Sequence, residues 1–348
     1  MAQAILILGD GGWGTALALL AHRGGHDVRL WSVNPSYAEV LSRTRRNPKF
    51  LPGVEIPPAV RISSEIAPLA AGAVVVLSVV PTQFLRETMA AVAPSIPRGA
   101  LIASCTKGVE RETFLLPSQI IGEVLARLKG PPGKAPTVAE PGLVILSGPS
   151  HAEEVARGLP ASIVAASRDP TAAQAIARLL GGSTFRVYTS SDPLGVEIGG
   201  AVKNVIALAA GIADGLKLGD NARAALITRG AREVARLGTA MGGRPETLMG
   251  LAGIGDLIVT CTSTHSRNHD VGYRIGRGET LELVLHSTEK VPEGVETTRS
   301  LRALAERLKV DMPITREVHA VLFEEKSPRE AVQSLMTRTA KDEMEETA

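Results

Sequence analysis

The chain has 348 residues, 44% of them hydrophobic, with 38 Lys plus Arg against 36 Asp plus Glu and a formal net charge of +2. That supplies a large core at a length where two domains are expected. The balanced charge, the lack of a basic stripe and an aromatic content of only 3% exclude a nucleic-acid platform.

The N-terminus is apolar but lacks a basic region, and Asp10 soon interrupts it, so no signal peptide is expected. Residues 4–8 are a continuous apolar run, which predicts a strand buried on both faces of a parallel sheet. The run leads into Gly9-Asp10-Gly11-Gly12-Trp13-Gly14. A helical pattern follows over residues 15–23, and a second strand over 27–31. Strand, glycine loop, helix and strand within about 30 residues form the context of a dinucleotide fingerprint. Gly9 then makes the tight turn, Gly11 lets backbone approach a pyrophosphate, and Gly14 lets helix and strand pack closely. The helix N-terminus offers N–H groups and a partial positive charge to the phosphates.

The end of the second strand reports on the cofactor: an acid favours NAD, an arginine NADP. Here the stretch is Trp31-Ser32-Val33-Asn34, which is neither. Asn34 is a candidate for a ribose hydroxyl. Arg43, Arg45 and Arg46, in a basic loop bounded by prolines, are candidates for a 2′-phosphate or an ordinary solvated face. The choice between NAD and NADP stays open.

Further strands are predicted at 61–62, 73–80 and 100–104, and a helix at 120–129. Lys107 follows a buried strand, at the rim where open α/β sheets bind ligands. The Pro/Gly-rich stretch 130–142 reads as an exposed, mobile loop. Strands resume at 143–147, 162–166 and 185–188. Gly148 and Ser150 follow the first of these, where they can meet a small polar ligand. His151 reads as a space filler. The cysteines Cys105 and Cys261 have neither metal-ligand nor disulfide spacing, so no metal site and a reducing cytoplasm are expected.

Beyond Asp192-Pro193 helical periodicity dominates. The boundary is placed near 191: a dinucleotide domain over 1–191 and a helical substrate and catalytic domain over 192–348. Helices are predicted at 195–211, 222–237, 244–249, 269–277, 297–308, 314–323 and 328–338. The apolar runs at 71–80 and 205–213 are too short to span a bilayer. The charged tail from 341 is expected to fray.

Lys203 lies in a small, apolar stretch, residues 196–210. Desolvation lowers a lysine pKa and suits it to exchange a proton near neutral pH. The alternative is a structural lysine paired with Glu197. Asp256, beside Gly253 and Gly255, faces a ligand or a cap. Ser266-Arg267-Asn268 precedes a helical pattern, which fits a phosphate pocket, ordinary N-capping, or both.

These motifs resemble the bacterial-type NAD(P)-dependent glycerol-3-phosphate dehydrogenases from about Ile5 to Arg338. The carrying stretches are residues 9–16, Thr106-Lys107-Gly108, Ser147-Gly148-Pro149-Ser150, 199–211 with Lys203-Asn204, 253–262, Ser266-Arg267-Asn268 and Pro292-Glu293-Gly294. The stretch around Lys203 is specific to that family; the glycine loop alone is not. The resemblance implies a Rossmann-type domain followed by an all-helical one. It implies interconversion of sn-glycerol 3-phosphate and dihydroxyacetone phosphate in the cytoplasm, feeding glycerophospholipid synthesis. Lys203 is then the proton acceptor. Lys107, Gly148, Ser150, Asp256, Ser266, Arg267 and Asn268 surround the substrate. Gly9, Gly11, Gly12, Trp13, Gly14, Ala152, Val291 and Glu293 border the cofactor, and Lys107 and Arg267 touch both ligands. Three positions depart from the family pattern: Asp10 replaces a small residue, Val33 a frequent basic one, and Phe50 a tyrosine. They weaken an NADP preference without removing it. No membrane insertion is expected, and a homodimer is compatible with the sequence.

Overall fold

The computed structural model describes residues 2–128, 142–288, 292–339 and 342–343. The loop expected at 130–142 and the tail expected from 341 fall almost wholly outside these residues. Among the described residues there are ten strands: β1 (Ala4–Leu8), β2 (Asp27–Trp31), β3 (Arg46–Asn47), β4 (Leu51–Glu55), β5 (Arg61–Ser63), β6 (Val75–Ser78), β7 (Leu101–Ser104), β8 (Leu143–Ser147), β9 (Ala161–Ala166) and β10 (Phe185–Ser190). Eight form one sheet in the order β10-β9-β8-β7-β6-β1-β2-β5. All neighbours are parallel except β8 and β9.

The apolar runs are explained by burial on both faces. Ile5 and Ile7 pack into one core, Leu6 and Leu8 into another on the opposite side. The chain goes from β1 outward to β2 and β5, then returns to β6 on the other flank of β1. The crevice between β1 and β6 is therefore the topological switch point, where such sheets bind ligands. The predicted basic loop is partly ordered as a separate hairpin of β3 and β4. The predicted strand 73–80 is shorter, because residues after Ser78 turn toward the helix Thr82–Val92.

The second half is helical, built around the helix Pro193–Gly215, nearly all of it buried. Asp192 caps it by accepting from Gly195 N at 3.0 Å, with Pro193 in the first turn. This central helix packs on the helix Arg267–Gly276 along a glycine seam. A Cβ on Gly211 would lie 2.0 Å from His269 O, and one on Gly272 2.0 Å from Leu208 O. Gly215 and Gly276 are equally close to main chain. Val109 and Leu116, from the sheet half of the sequence, pack into the core of the helical half.

Candidate active site

Lys203 lies mid-way along the central helix and is 7% exposed. Its Nζ donates to Asp256 Oδ1 at 2.5 Å and to Thr260 Oγ1 at 2.9 Å. Asp256 follows a π-helical turn, Leu251–Gly255, and opens the helix Asp256–Thr262. Thr260, one turn on, donates to Asp256 O at 2.6 Å and so presents a lone pair to the lysine. Sequence reasoning missed Thr260; its spacing of four from Asp256 was the available signal.

Lys107 reaches the same carboxylate from the end of β7. Its Nζ donates to Asp256 Oδ2 at 2.6 Å and to Gly148 O at 3.3 Å. A Cβ on Gly200 would lie 2.7 Å from Ser147 Oγ and 3.4 Å from Lys107 Cγ. Glycine thus lets the Lys107 stem cross the central helix. Gly148 has φ +140, and a Cβ there would lie 2.9 Å from Ile163 Cα. Ser150 Oγ donates to Gly148 O at 3.0 Å.

One carboxylate thus holds two ammonium groups. Burial lowers the Lys203 pKa; Asp256 opposes this and Lys107 adds to it, leaving it at about 8. Burial pushes the Asp256 carboxyl up, but Lys107 and Lys203 together hold it below its ordinary value. A lysine able to change protonation near neutral pH is suited to general acid and base work.

Glu197 is not the partner of Lys203. Its carboxylate accepts from Ser118 N at 2.8 Å and from Ser118 Oγ at 2.5 Å, satisfying the first turn of the helix Pro117–Leu128. Burial raises its pKa to about 7, against those hydrogen bonds.

Ser266 and Asn268 are buried, and both engage the backbone. Ser266 Oγ accepts from His269 N at 3.2 Å as the N-cap, and Asn268 Oδ1 accepts from Gly294 N at 3.0 Å. Arg267 is exposed at the start of its helix. Glu293 opens the helix Glu293–Leu308 and takes a backbone hydrogen bond from Thr82. Burial raises its pKa against the positive charges of Arg267, Lys107 and Lys203, so these four groups share one neighbourhood. Val291 lies outside the described residues. His151 sits before the short helix Ala152–Ala156, its Nε2 3.5 Å from Val259 O. Burial, then the charge of Lys203, lowers its pKa.

The glycine loop fits a dinucleotide. A Cβ on Gly14 would lie 1.9 Å from Gly9 O, and one on Gly9 2.8 Å from Val79 O, beyond β6. Gly11 caps the helix Gly12–Arg23 with no side-chain hydrogen bond, and no acid lies in its first turn. Its N–H groups are left for phosphate. A Cβ on Gly12 would lie 2.8 Å from Phe50 O and 3.6 Å from Ala152 Cβ. Trp13 packs on Phe185 at 6.5 Å between ring centroids.

Two candidates for the ribose end are otherwise engaged. Arg45 adopts φ 54 and turns inward, donating to Ile56 O at 3.2 Å, to Val60 O at 2.7 Å and to Pro57 O. It does not face a 2′-phosphate. Asn34 Oδ1 accepts from Tyr37 N at 3.0 Å as a helix cap, so that oxygen is not offered to a ribose.

Residues 4–173 match the family described as NAD-dependent glycerol-3-phosphate dehydrogenase N-terminus, and residues 192–333 match the corresponding C-terminus. A glycerol-3-phosphate dehydrogenase (NAD(P)+) of Prosthecochloris aestuarii is 46% identical over 340 residues, 98% of this chain and 99% of the relative. That of Geobacter sulfurreducens is 46% identical over 343 residues, 99% of each chain. The crystal structure of glycerol-3-phosphate dehydrogenase from Coxiella burnetii superposes with a TM-score of 0.89 at 38% identity, covering 97% of this chain and 99% of that one. With its Rossmann-type sheet, glycine loop and helical second half, the chain belongs to the NAD(P)-dependent glycerol-3-phosphate dehydrogenases, a family of oxidoreductases.

Proposed function

We propose that the chain interconverts sn-glycerol 3-phosphate and dihydroxyacetone phosphate, with Lys203 as proton acceptor and donor. The observation that carries this reading is the buried lysine pair on Asp256, with Lys203 lowered to about 8. A dinucleotide held at the glycine loop would supply the hydride acceptor for C2 of the alcohol, or the hydride donor to the ketone. Oxidation requires loss of the C2 hydroxyl proton, and neutral Lys203 Nζ accepts it. In reduction its ammonium gives that proton to the carbonyl oxygen. Lys107 polarises the same oxygen and adds to the lowering of Lys203. Asp256 and Thr260 hold the lysine in line and stop it from turning away.

On this reading Arg267 and the start of its helix grip the phosphate, with Gly148, Ser150, Ser266 and Asn268 around the substrate. Holding the phosphate fixes C2 relative to Lys203, which is where positional catalysis arises. Gly9, Gly11, Gly12, Trp13, Gly14, Ala152 and Glu293 border the dinucleotide. The same reading places the enzyme in the cytoplasm, supplying the glycerol phosphate backbone of glycerophospholipids.

The test is a substrate panel with NADH and NADPH side by side. Dihydroxyacetone phosphate should be reduced, and small hydroxy acids and sugar acid phosphates left untouched. Turnover of a hydroxy acid with none of dihydroxyacetone phosphate would sink the assignment.

A further inference from the structure

We infer that Asp10 reads the adenosine ribose and selects NAD(H) over NADP(H). The inference rests on the dinucleotide site and not on the Lys203 mechanism.

In this kind of sheet the ribose hydroxyls are met at the end of β2, commonly by an acid on that strand. Here the strand end carries no acid. Ser32 is fully buried, Val33 is apolar and 71% exposed, and the Asn34 side-chain oxygen is spent on its cap. The carboxylate comes instead from the glycine loop next door. Ser32 Oγ donates to Asp10 Oδ2 at 2.5 Å. The side chain that leaves the end of β1 is thereby tied to the end of β2, where an acid borne by β2 would stand.

Both ends of this tie are held. Ser32 N donates to Ser63 O at 3.1 Å, and Ser32 Oγ also accepts from Asn34 N at 3.3 Å. Asp10 O accepts from Asn47 Nδ2 at 2.8 Å, and Asn47 bonds Thr15 Oγ1 at 2.7 Å. Asn47 thus latches the β3–β4 hairpin to the glycine loop, and Tyr37 OH, donating to Asn47 Oδ1 at 2.6 Å, holds the same hairpin to the helix Pro35–Thr44. Asp10 is only partly buried, and its carboxylate lies toward the end of β2 through its bond from Ser32. A carboxylate accepts at about four sites, which leaves capacity for ribose hydroxyls beyond Ser32.

The chemistry then discriminates in one direction. A 2′-hydroxyl donates to a carboxylate. A 2′-phosphate brings about 1.5 to 2 negative charges and cannot donate in the same way. The charges facing the site are few. Burial lifts the Asp10 carboxyl above its ordinary value, while the Ser32 hydrogen bond and then the charge of Lys49 pull it back toward the ionised form. Lys49 lies 5.1 Å above the Phe50 ring, and Arg43, on the helix Pro35–Thr44, and Arg46, on β3, are exposed. These cations favour a 2′-phosphate, so Asp10 must outweigh them.

The test is calorimetric binding of NADH, NADPH, 5′-AMP and 2′-AMP to the full chain, without substrate. The variants are Asp10→Ala, Asp10→Asn, Ser32→Ala and Lys49→Ala. The wild type should bind NADH at least about tenfold more tightly than NADPH, and 5′-AMP more tightly than 2′-AMP. Asp10→Ala should shrink the NADH:NADPH ratio by roughly tenfold, chiefly through tighter NADPH binding. Asp10→Asn, which keeps shape and loses charge, should do the same. Ser32→Ala should shrink the ratio less, and Lys49→Ala should widen it. A wild type that prefers NADPH would overturn the inference. So would an unchanged ratio in whichever Asp10 variant folds. Binding as expected without reduction of dihydroxyacetone phosphate would sink the substrate assignment and leave this inference standing.

Discussion

Lys203 and Glu197 lie on one helix, less than two turns apart, and are 7% and 4% exposed. Burial disfavours the charged form of each. Their neighbours differ. Lys203 meets a carboxylate, a hydroxyl and a second ammonium. Glu197, among the described residues, meets the amide and hydroxyl of Ser118. The lysine sits among opposed charges that a reaction can tip. The glutamate closes a helix end and joins the two halves of the chain. Glu233 repeats the second pattern, accepting from Ile314 N and from Thr315 N and Oγ1, and burial raises it too to about 7. Burial of an ionisable group is therefore a poor guide to chemistry here. The sign and number of its partners separate the two cases.

The sharpest test of that contrast is Lys203→Ala. It should lower kcat by roughly 10² to 10⁴, the usual weight of a positioned acid or base, with the Kd for NADH nearly intact. Near-normal kcat would remove Lys203 from proton transfer. Asp256→Ala comes next, because it leaves two ammonium groups unopposed. Denaturant unfolding should show a loss of about 3–5 kcal/mol. Asp256 raises the Lys203 pKa, so its removal should also move the Lys203 limb of the pH–rate profile below 8. A limb that stays in place would break the link.

The pH dependence of stability separates the two residues directly. Folded Glu197 keeps its proton up to about 7, whereas in the unfolded chain it is lost near 4.5. Its stabilising contribution is full below 4.5 and is lost as pH rises through 7. Wild type minus Glu197→Gln should show that fall, on the order of 3 kcal/mol. Lys203 runs oppositely. Its folded pKa of about 8 lies below the ordinary 10.5, so its contribution is full above 10.5 and lost as pH falls through 8. Parallel stability curves for wild type and Glu197→Gln would show that Glu197 does not titrate in this way. The smallest effect is expected at the exposed Arg267. Arg267→Ala should raise KM for dihydroxyacetone phosphate roughly tenfold, the weight of a charge-assisted hydrogen bond, with kcat little changed. An unchanged KM would take Arg267 out of the phosphate grip.

The fold was legible where one residue type answers to one constraint. Gly9 and Gly14 are read from the turn and the close approach that follow β1. The strands are read from runs buried on both faces. The antiparallel pairing of β8 and β9 was not legible, because strand direction leaves no trace in a short apolar run. The site was legible in its members and less so in its pairings. Asp256 stood out beside two glycines, but Thr260 looked like any helical threonine. Glu197 pointed to Lys203 by proximity in sequence, and its true partner lies 79 residues away. Arg45 looked like a free cation until its left-handed backbone turned the guanidinium onto carbonyls. The Glu197 miss depends on a contact across 79 residues, which composition and periodicity do not carry, whereas the Thr260 and Arg45 misses turn on nearer partners that a residue type alone does not reveal.

The glycine seam sets a dimension. At Gly211, Gly215, Gly272 and Gly276 the two helices meet main chain to main chain, with no rotamer between them to give way. Lys203 lies on one of these helices, and Arg267 begins the other. The pair behaves like a caliper with its jaws locked, its opening fixed by peptide geometry. A side chain gained at any of the four positions forces the jaws apart, and no side-chain repacking closes them further. Adapting this scaffold to a longer substrate would then require a new helix crossing or an insertion before Arg267, a change of backbone rather than of residues.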